Sequence, residues 1–286
     1  MAIDLARVLG AELPATTASW DADDVILYHL GIGAGARPLA AGELAYAYED
    51  GLKVLPSFAV IPAFGVLPGI AEIDGFDVDP ALLLHGEQEL ELLAPLPPAG
   101  SVRTTARVAH VWDKGSGAVA VFEATSSGPD GKPLFVNRFN CFLRGEGGFG
   151  GDSGPAPAHE PPQRAPDHEV ACPTLPQQAL LYRLSGDKNP LHADPAYAAK
   201  AGFERPILHG LCSFGIACKA AVDTVLGGAV ERVAGYRARF AGVVFPGETL
   251  LVRLWDERDR VVLSVRTQER DSPVIANAAI TVRSAA

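Results

Sequence analysis

Residues 182–215 read YRLSGDKNPLHADPAYAAKAGFERPILHGLCSFG, and the pattern of this stretch sets the local fold. From Gly210 onward the apolar residues Leu211, Phe214, Cys218, Ala221, Val222 and Val225 recur at helical spacing until Gly227-Gly228, which predicts a long helix. Asp194-Pro195 reads as the cap and first position of a short helix stopped by Gly202, and Thr174 and Pro176 read as the start of an earlier one. Downstream, VAGYRARF around Tyr236, LLVRLW from Leu250, VVLSVR from Val261 and VIANAAITVR from Val274 read as strands, with Leu250, Val252 and Leu254 alternating with their neighbours. One long helix followed by consecutive antiparallel strands predicts an α+β unit whose sheet wraps the helix.

The same stretch carries chemistry. Asp187 and His192 stand five residues apart on a loop shaped by Gly and Pro, where neither is committed to a repeating face, so both can aim at one water. Gly210 opens the long helix, where unpaired backbone N–H groups and the positive dipole end suit an oxygen that gains charge. Taken singly, Asp187 reads as a turn residue and His192 as a partner for a carbonyl. A metal site from Asp187, Asn189, His192 and Asp194 matches neither EF-hand nor zinc spacing, so no metal is expected. His209 reads as a structural residue of the helix start. Cys212 and Cys218 read as small core residues, and Lys114 in DKGSG reads by default as a solvated turn lysine in a hairpin-like turn.

The remainder bounds the class. The 286 residues are 48% hydrophobic with net charge −10 and no run of Lys or Arg, which argues against nucleic acid or an anionic membrane as partner. Cys141, Cys172, Cys212 and Cys218 show no CxxC spacing, and no apolar run approaches the roughly 18–20 residues of a membrane span. With no basic-plus-apolar start and an RSAA end unlike a peroxisomal address, the cytosol is the expected compartment. Residues 145–167, GEGGFGGDSGPAPAHEPPQRAPD, cannot hold a helix or a central strand; the expected division is therefore a domain over 1–145, a linker over 146–167 and a second domain over 168–286.

Those two domains read as copies. ILYHLG around Tyr28 matches LLYRLS around Tyr182, Pro56…Phe64-Gly65 matches Pro206…Phe214-Gly215, and PPAG ending at Gly100 matches VFPG ending at Gly247. The N-terminal copy has Gly33 and Pro38 where Asp187 and His192 stand, so it lacks the pair. Its helix counterpart, SFAVIPAFGVLPGI, is broken by Pro62, Gly65 and Pro68, which is expected to leave apolar space beside residues such as Phe58, Ile61 and Phe64.

YRLSGDKNPLH with PILHGLCSFG, joined by YHLGIGA from Tyr28, LLHGEQELELLAPLPPAG from Leu83 and VWDKGSG from Val111, resembles the (R)-specific 2-enoyl-CoA hydratases of the MaoC-like group, and in particular the hydratase 2 part of the peroxisomal multifunctional enzymes type 2. The resemblance spans nearly the whole chain. It implies a double hot-dog fold, two tandem domains with antiparallel sheets around a central helix. It further implies a cofactor-free enzyme adding water to a trans-2-enoyl-CoA thioester to give a (3R)-3-hydroxyacyl-CoA. It makes Asp187 and His192 the catalytic pair, the N–H of Gly210 the oxyanion donor, and His85, Gly86, Lys114, Lys188, Asn189, Gly210 and Phe240 contacts of the acyl-CoA. The alternatives are a 3-hydroxyacyl-[acyl-carrier-protein] dehydratase and a non-catalytic acyl-CoA-binding protein. Chain-length preference, which of Asp187 and His192 is the base, and the oligomeric state, a homodimer among the options, stay open.

Overall fold

The computed structural model describes residues 3–78, 83–156 and 158–283; residues 1, 2 and 284–286, including most of the RSAA end, lie outside the described residues. Among these described residues ten antiparallel strands form one sheet: β1 (Glu12–Trp20), β2 (Leu83–Leu92), β3 (Gly100–Asp113), β4 (Gly117–Ser127) and β5 (Pro133–Arg144), then β6 (His168–Pro173), β7 (Val233–Phe240), β8 (Thr249–Glu257), β9 (Arg260–Thr267) and β10 (Pro273–Val282). Their order, β1-β3-β4-β5-β2-β7-β10-β9-β8-β6, is one five-strand pattern followed by its reverse. Each half therefore repeats the other's topology, and the two equivalent strands β2 and β7 meet at the centre. Leu90 pairs with Tyr236 and Glu89 with Arg237 there, and Arg237 makes an ion pair with Glu87 at 2.7 Å.

Among the described residues lie seven α-helices: α1 (Leu5–Val8), α2 (Ala22–Gly31), α3 (Ala41–Leu44), α4 (Val60–Ala63), α5 (Gln178–Tyr182), α6 (Pro195–Lys200) and α7 (Gly210–Thr224). The longest, α7, is the helix expected from Gly210, and Asp194 caps α6 as expected, accepting from the backbone N–H groups of Ala196 and Tyr197. Sequence spacing implies one buried stripe on α7, but Leu211 to Cys218 and Ala220 to Val222 are all buried. The reason is the second half: a Cβ at Gly215 would stand 2.7 Å from both Ile32 Cγ2 and the Tyr28 hydroxyl, so α2 closes over the face the C-terminal sheet leaves free. The remaining side carries Lys219, which bridges Glu43 at 3.2 Å and Asp223 at 2.8 Å across the two halves.

One expectation needs correction, and one strand was not anticipated. Thr174 does not start a helix: its hydroxyl donates to the carbonyl of Glu248, and α5 begins only at Gln178. HEVACP, unread as a strand, forms edge strand β6 against β8. The N-terminal counterpart of α7 is broken as expected, into a 3-10 turn (Pro56–Ala59), α4 and a 3-10 run (Phe64–Glu72). Of the side chains expected to border the apolar space, Phe58 is buried edge-on to Trp20 and Tyr28, and Ile61 and Phe64 are half-buried against the core. Gly65 points its absent Cβ at Thr16 of β1, 3.6 Å away, so it does not line that interior.

Candidate active site

Between α5 and α7 the chain makes a loop in which few residues belong to a regular element, and its polar side chains organise its own backbone. The Asp187 carboxylate accepts from the N–H of Asn189 at 3.0 Å through Oδ1, and the Asn189 side chain accepts from the N–H of Leu191 at 3.0 Å, capping the 3-10 turn Pro190–His192. These two turns set Asp187 and His192 side by side. Arg183 closes the loop by donating to the carbonyl of Lys188 at 3.1 Å.

His192 is buried, and its Nδ1 lies 2.8 Å from the carbonyl oxygen of Ile207. A carbonyl can only accept, so Nδ1 carries the proton and Nε2 keeps a bare lone pair. Burial lowers the pKa of His192, against the opposing pull of the Ile207 carbonyl and the Asp187 carboxylate, so the ring is neutral near pH 7. His209, 1% exposed, donates Nε2–H to the carbonyl of Asp187 at 3.2 Å and lies on His192 with ring centroids 3.7 Å apart and planes 28° off parallel. Burial and then the neighbouring His192 bring its pKa down to about 2.

One donor atom each from Asp187, His192 and His209 falls within 4.8 Å of the others. That span fits a water bridging carboxylate and imidazole, each hydrogen bond being about 2.8 Å. Composition alone would also suit zinc, but the two stacked imidazoles hold their in-plane lone pairs in nearly parallel planes, whereas a tetrahedral ion about 2 Å from each nitrogen must lie in both ring planes.

Gly210 is the first residue of α7, so its N–H has no partner within the helix. A Cβ there would lie 3.3 Å from two ring carbons of Phe240; only glycine admits the Phe240 ring so close. Phe240, at the end of β7, stands edge-on to His85 of β2 at 5.1 Å. His85 thus brings the N-terminal half to the Gly210 end of the site, its Nε2 buried and without a partner among the described residues, and burial lowers its pKa to about 4. Gly86 sits at the register shift between His85 and Glu87.

Two expected contacts are not gathered here. Lys114 donates to the carbonyl of Ser153 in the segment joining the halves and lies over the Trp112 ring, because the Asp113 carboxylate pulls that segment in through the N–H groups of Gly148 and Gly150. Lys188 is exposed, and only its carbonyl is engaged. His209, read from sequence as structural, is the residue the pattern under-read. Its contacts to Asp187 and His192 lie 22 and 17 positions away, and the only local signal was its place immediately before Gly210.

Residues 19–145 match the MFE-2 hydratase 2 N-terminal domain, and residues 157–278 match the MaoC like domain. The chain is 50% identical to enoyl-CoA hydratase ChsH3 of Mycobacterium tuberculosis, over 96% of this chain and 97% of that one. It is 41% identical to peroxisomal enoyl-CoA hydratase 2 of Arabidopsis thaliana, over 94% and 92% respectively. The full-length peroxisomal multifunctional enzyme type 2 of Drosophila melanogaster superposes with TM-score 0.84 at 35% identity, covering 95% of this chain, which spans 48% of that larger enzyme. With two matched five-strand halves and the His-Gly start of α7 beside the Asp187/His192 loop, the chain belongs to the MaoC-like hydratase 2 family and has its double hot-dog fold.

Proposed function

We propose that this protein is a hydro-lyase that reversibly hydrates trans-2-enoyl-CoA to (3R)-3-hydroxyacyl-CoA, with Asp187 and His192 as the catalytic pair. The carrying observation is a buried, neutral His192 whose Nε2 is left bare by the Nδ1–Ile207 bond and one of whose ring nitrogens lies within 4.8 Å of an Asp187 carboxylate oxygen, beside the His209-Gly210 start of α7. Hydration adds hydroxyl to the β-carbon and a proton to the α-carbon, and negative charge passes onto the thioester oxygen between ground state and transition state. A water held by Asp187 and His192 supplies both the hydroxyl and the proton, so no group is left over and no covalent intermediate is needed. The N–H of Gly210, with the dipole of the fifteen-residue α7 behind it, faces the developing oxyanion. Asn189 holds the loop, and Phe240 with His85 forms the wall against which the thioester end lies.

The N-terminal half, with Gly33 and Pro38 at the pair's positions, contributes His85, Gly86 and the rest of the acyl-CoA surface and no second site. Both relatives named enoyl-CoA hydratase specify CoA, which favours that carrier over an acyl carrier protein. Fatty-acyl β-oxidation is the matching metabolic setting; cytosolic placement and a homodimer are kept as proposals, to be checked by fractionation and light scattering. The test of function is incubation of trans-2-enoyl-CoA with the protein and chiral analysis of the product. A (3R) product supports the reading; a (3S) product, or no loss of the enoyl absorbance, refutes it.

A further inference from the structure

His209 has no part in the proton transfers above, yet its surroundings exceed what a helix start requires. It makes no side-chain capping bond to α7. Its Nε2–H is spent on the carbonyl of Asp187, its ring covers His192 at 3.7 Å, and Tyr182 stands 4.9 Å away. Nδ1 of His209 is buried without a partner among the described residues. A purely structural buried histidine looks different: in His29 both ring nitrogens are satisfied, Nδ1 by the carbonyl of Tyr46 at 2.8 Å and Nε2 by the N–H of Leu55 at 3.1 Å.

We propose that His209 is a positioning residue for the hydration, anchoring the backbone of Asp187 and walling one face of His192 so that carboxylate and imidazole stay aimed at the same water. The inference rests on the hydratase reading given above. Asp187 follows Gly186, whose φ is 138°, on a loop with exposed neighbours, so its backbone has few other holds. Displacement of a catalytic group by about 1 Å costs on the order of 10²-fold in rate. The stacked ring also keeps water from His192. The charged or titratable groups around the two stacked histidines are Asp187, Arg183 and Tyr182, while the Asp194 carboxylate is committed to the N-terminus of α6.

Two variants separate anchoring from walling. His209→Phe keeps a flat ring and loses the donor; kcat on crotonyl-CoA should fall about 10–100-fold with KM little changed and the acid limb of the pH profile in place. His209→Gln keeps a donor and loses the wall. It should retain more kcat than the Phe variant while hydration raises the His192 pKa, moving the acid limb to higher pH because the neutral ring is the working form. Titration of the His192 ring by ¹⁵N NMR reads this shift without turnover. A folded Phe variant with wild-type kcat, or a Gln variant whose His192 titrates as in wild type, overturns the inference, and each arm decides alone. If wild type itself lacks hydratase activity the functional reading fails instead, and the NMR arm still judges the His209–His192 contact.

Discussion

Gly210→Ala is the smallest change that tests how the oxyanion site is built. The added methyl carbon would meet Phe240 Cδ1 and Cε1 at 3.3 Å and Cγ at 3.4 Å, tighter than ordinary contact by a few tenths of an ångström. Phe240 cannot simply swing away, since His85 stands edge-on to it at 5.1 Å. The ring and the helix start must share the displacement. One oxyanion donor contributes about 2.7–4 kcal/mol to the transition state. The N–H itself survives in alanine, so a shift of a few tenths of an ångström forfeits part of this, about 1–2 kcal/mol or 5–30-fold in kcat. Stability should change by about 1 kcal/mol or less, because the position is exposed apart from Phe240. The assay is the initial rate of crotonyl-CoA hydration for Gly210→Ala, Phe240→Leu and the double variant. If the clash is the cause, the double variant loses less than the sum of the singles. Wild-type kcat in Gly210→Ala, or strictly additive losses, would refute the reasoning.

Further consequences follow from the packing. Burial lowers the pKa of His29 and His85 to about 4 and of His209 to about 2, below the ordinary 6.5, so under pH 6.5 the unfolded chain binds protons the folded chain refuses. Stability is therefore full above pH 6.5 and falls as pH drops, by up to about 1.4 kcal/mol per pH unit for each histidine; an unchanged urea midpoint between pH 7.5 and 5.5 would contradict this. Gly215→Val should destabilise by about 1–3 kcal/mol or more, seen as a lower Tm, because its Cβ would lie 2.7 Å from Ile32 and Tyr28 of the other half. Lys219→Met should cost about 1–3 kcal/mol, because buried Glu43 loses its 3.2 Å cation and keeps only exposed Arg37 at 3.4 Å and the N–H of Gly35, and adding Glu43→Gln should recover part of the loss.

What the sequence disclosed was what local spacing controls. The apolar period of α7, the Asp194-Pro195 start of α6 and the alternation in β8 each report a single element, and each agrees with the structure. β6 escaped notice because an edge strand with one covered face needs little apolar sequence, and HEVACP carries charge and a proline. Thr174 and Pro176 resembled a helix start, but tertiary bonds to Glu248 and Gly247 claimed the threonine first. In the site, Asp187, Asn189 and His192 were legible because two short-range turns orient them. His209 was not, since its stack on His192 and its bond to Asp187 arise only when α7 docks under the loop. Lys114 shows the converse: its motif was visible, and the joining segment that occupies it was not.

The central claim is that Asp187 and His192 act together on one water, and the direct measurement is crotonyl-CoA hydration by Asp187→Asn, His192→Ala and the double variant, each checked for folding by circular dichroism. Each single change should lower kcat by about 10²–10⁴-fold, and the double variant should fall little further than the weaker single, because two groups acting as a unit are lost together. Near-wild-type turnover in either folded single variant, or losses that multiply in the double, would contradict the account.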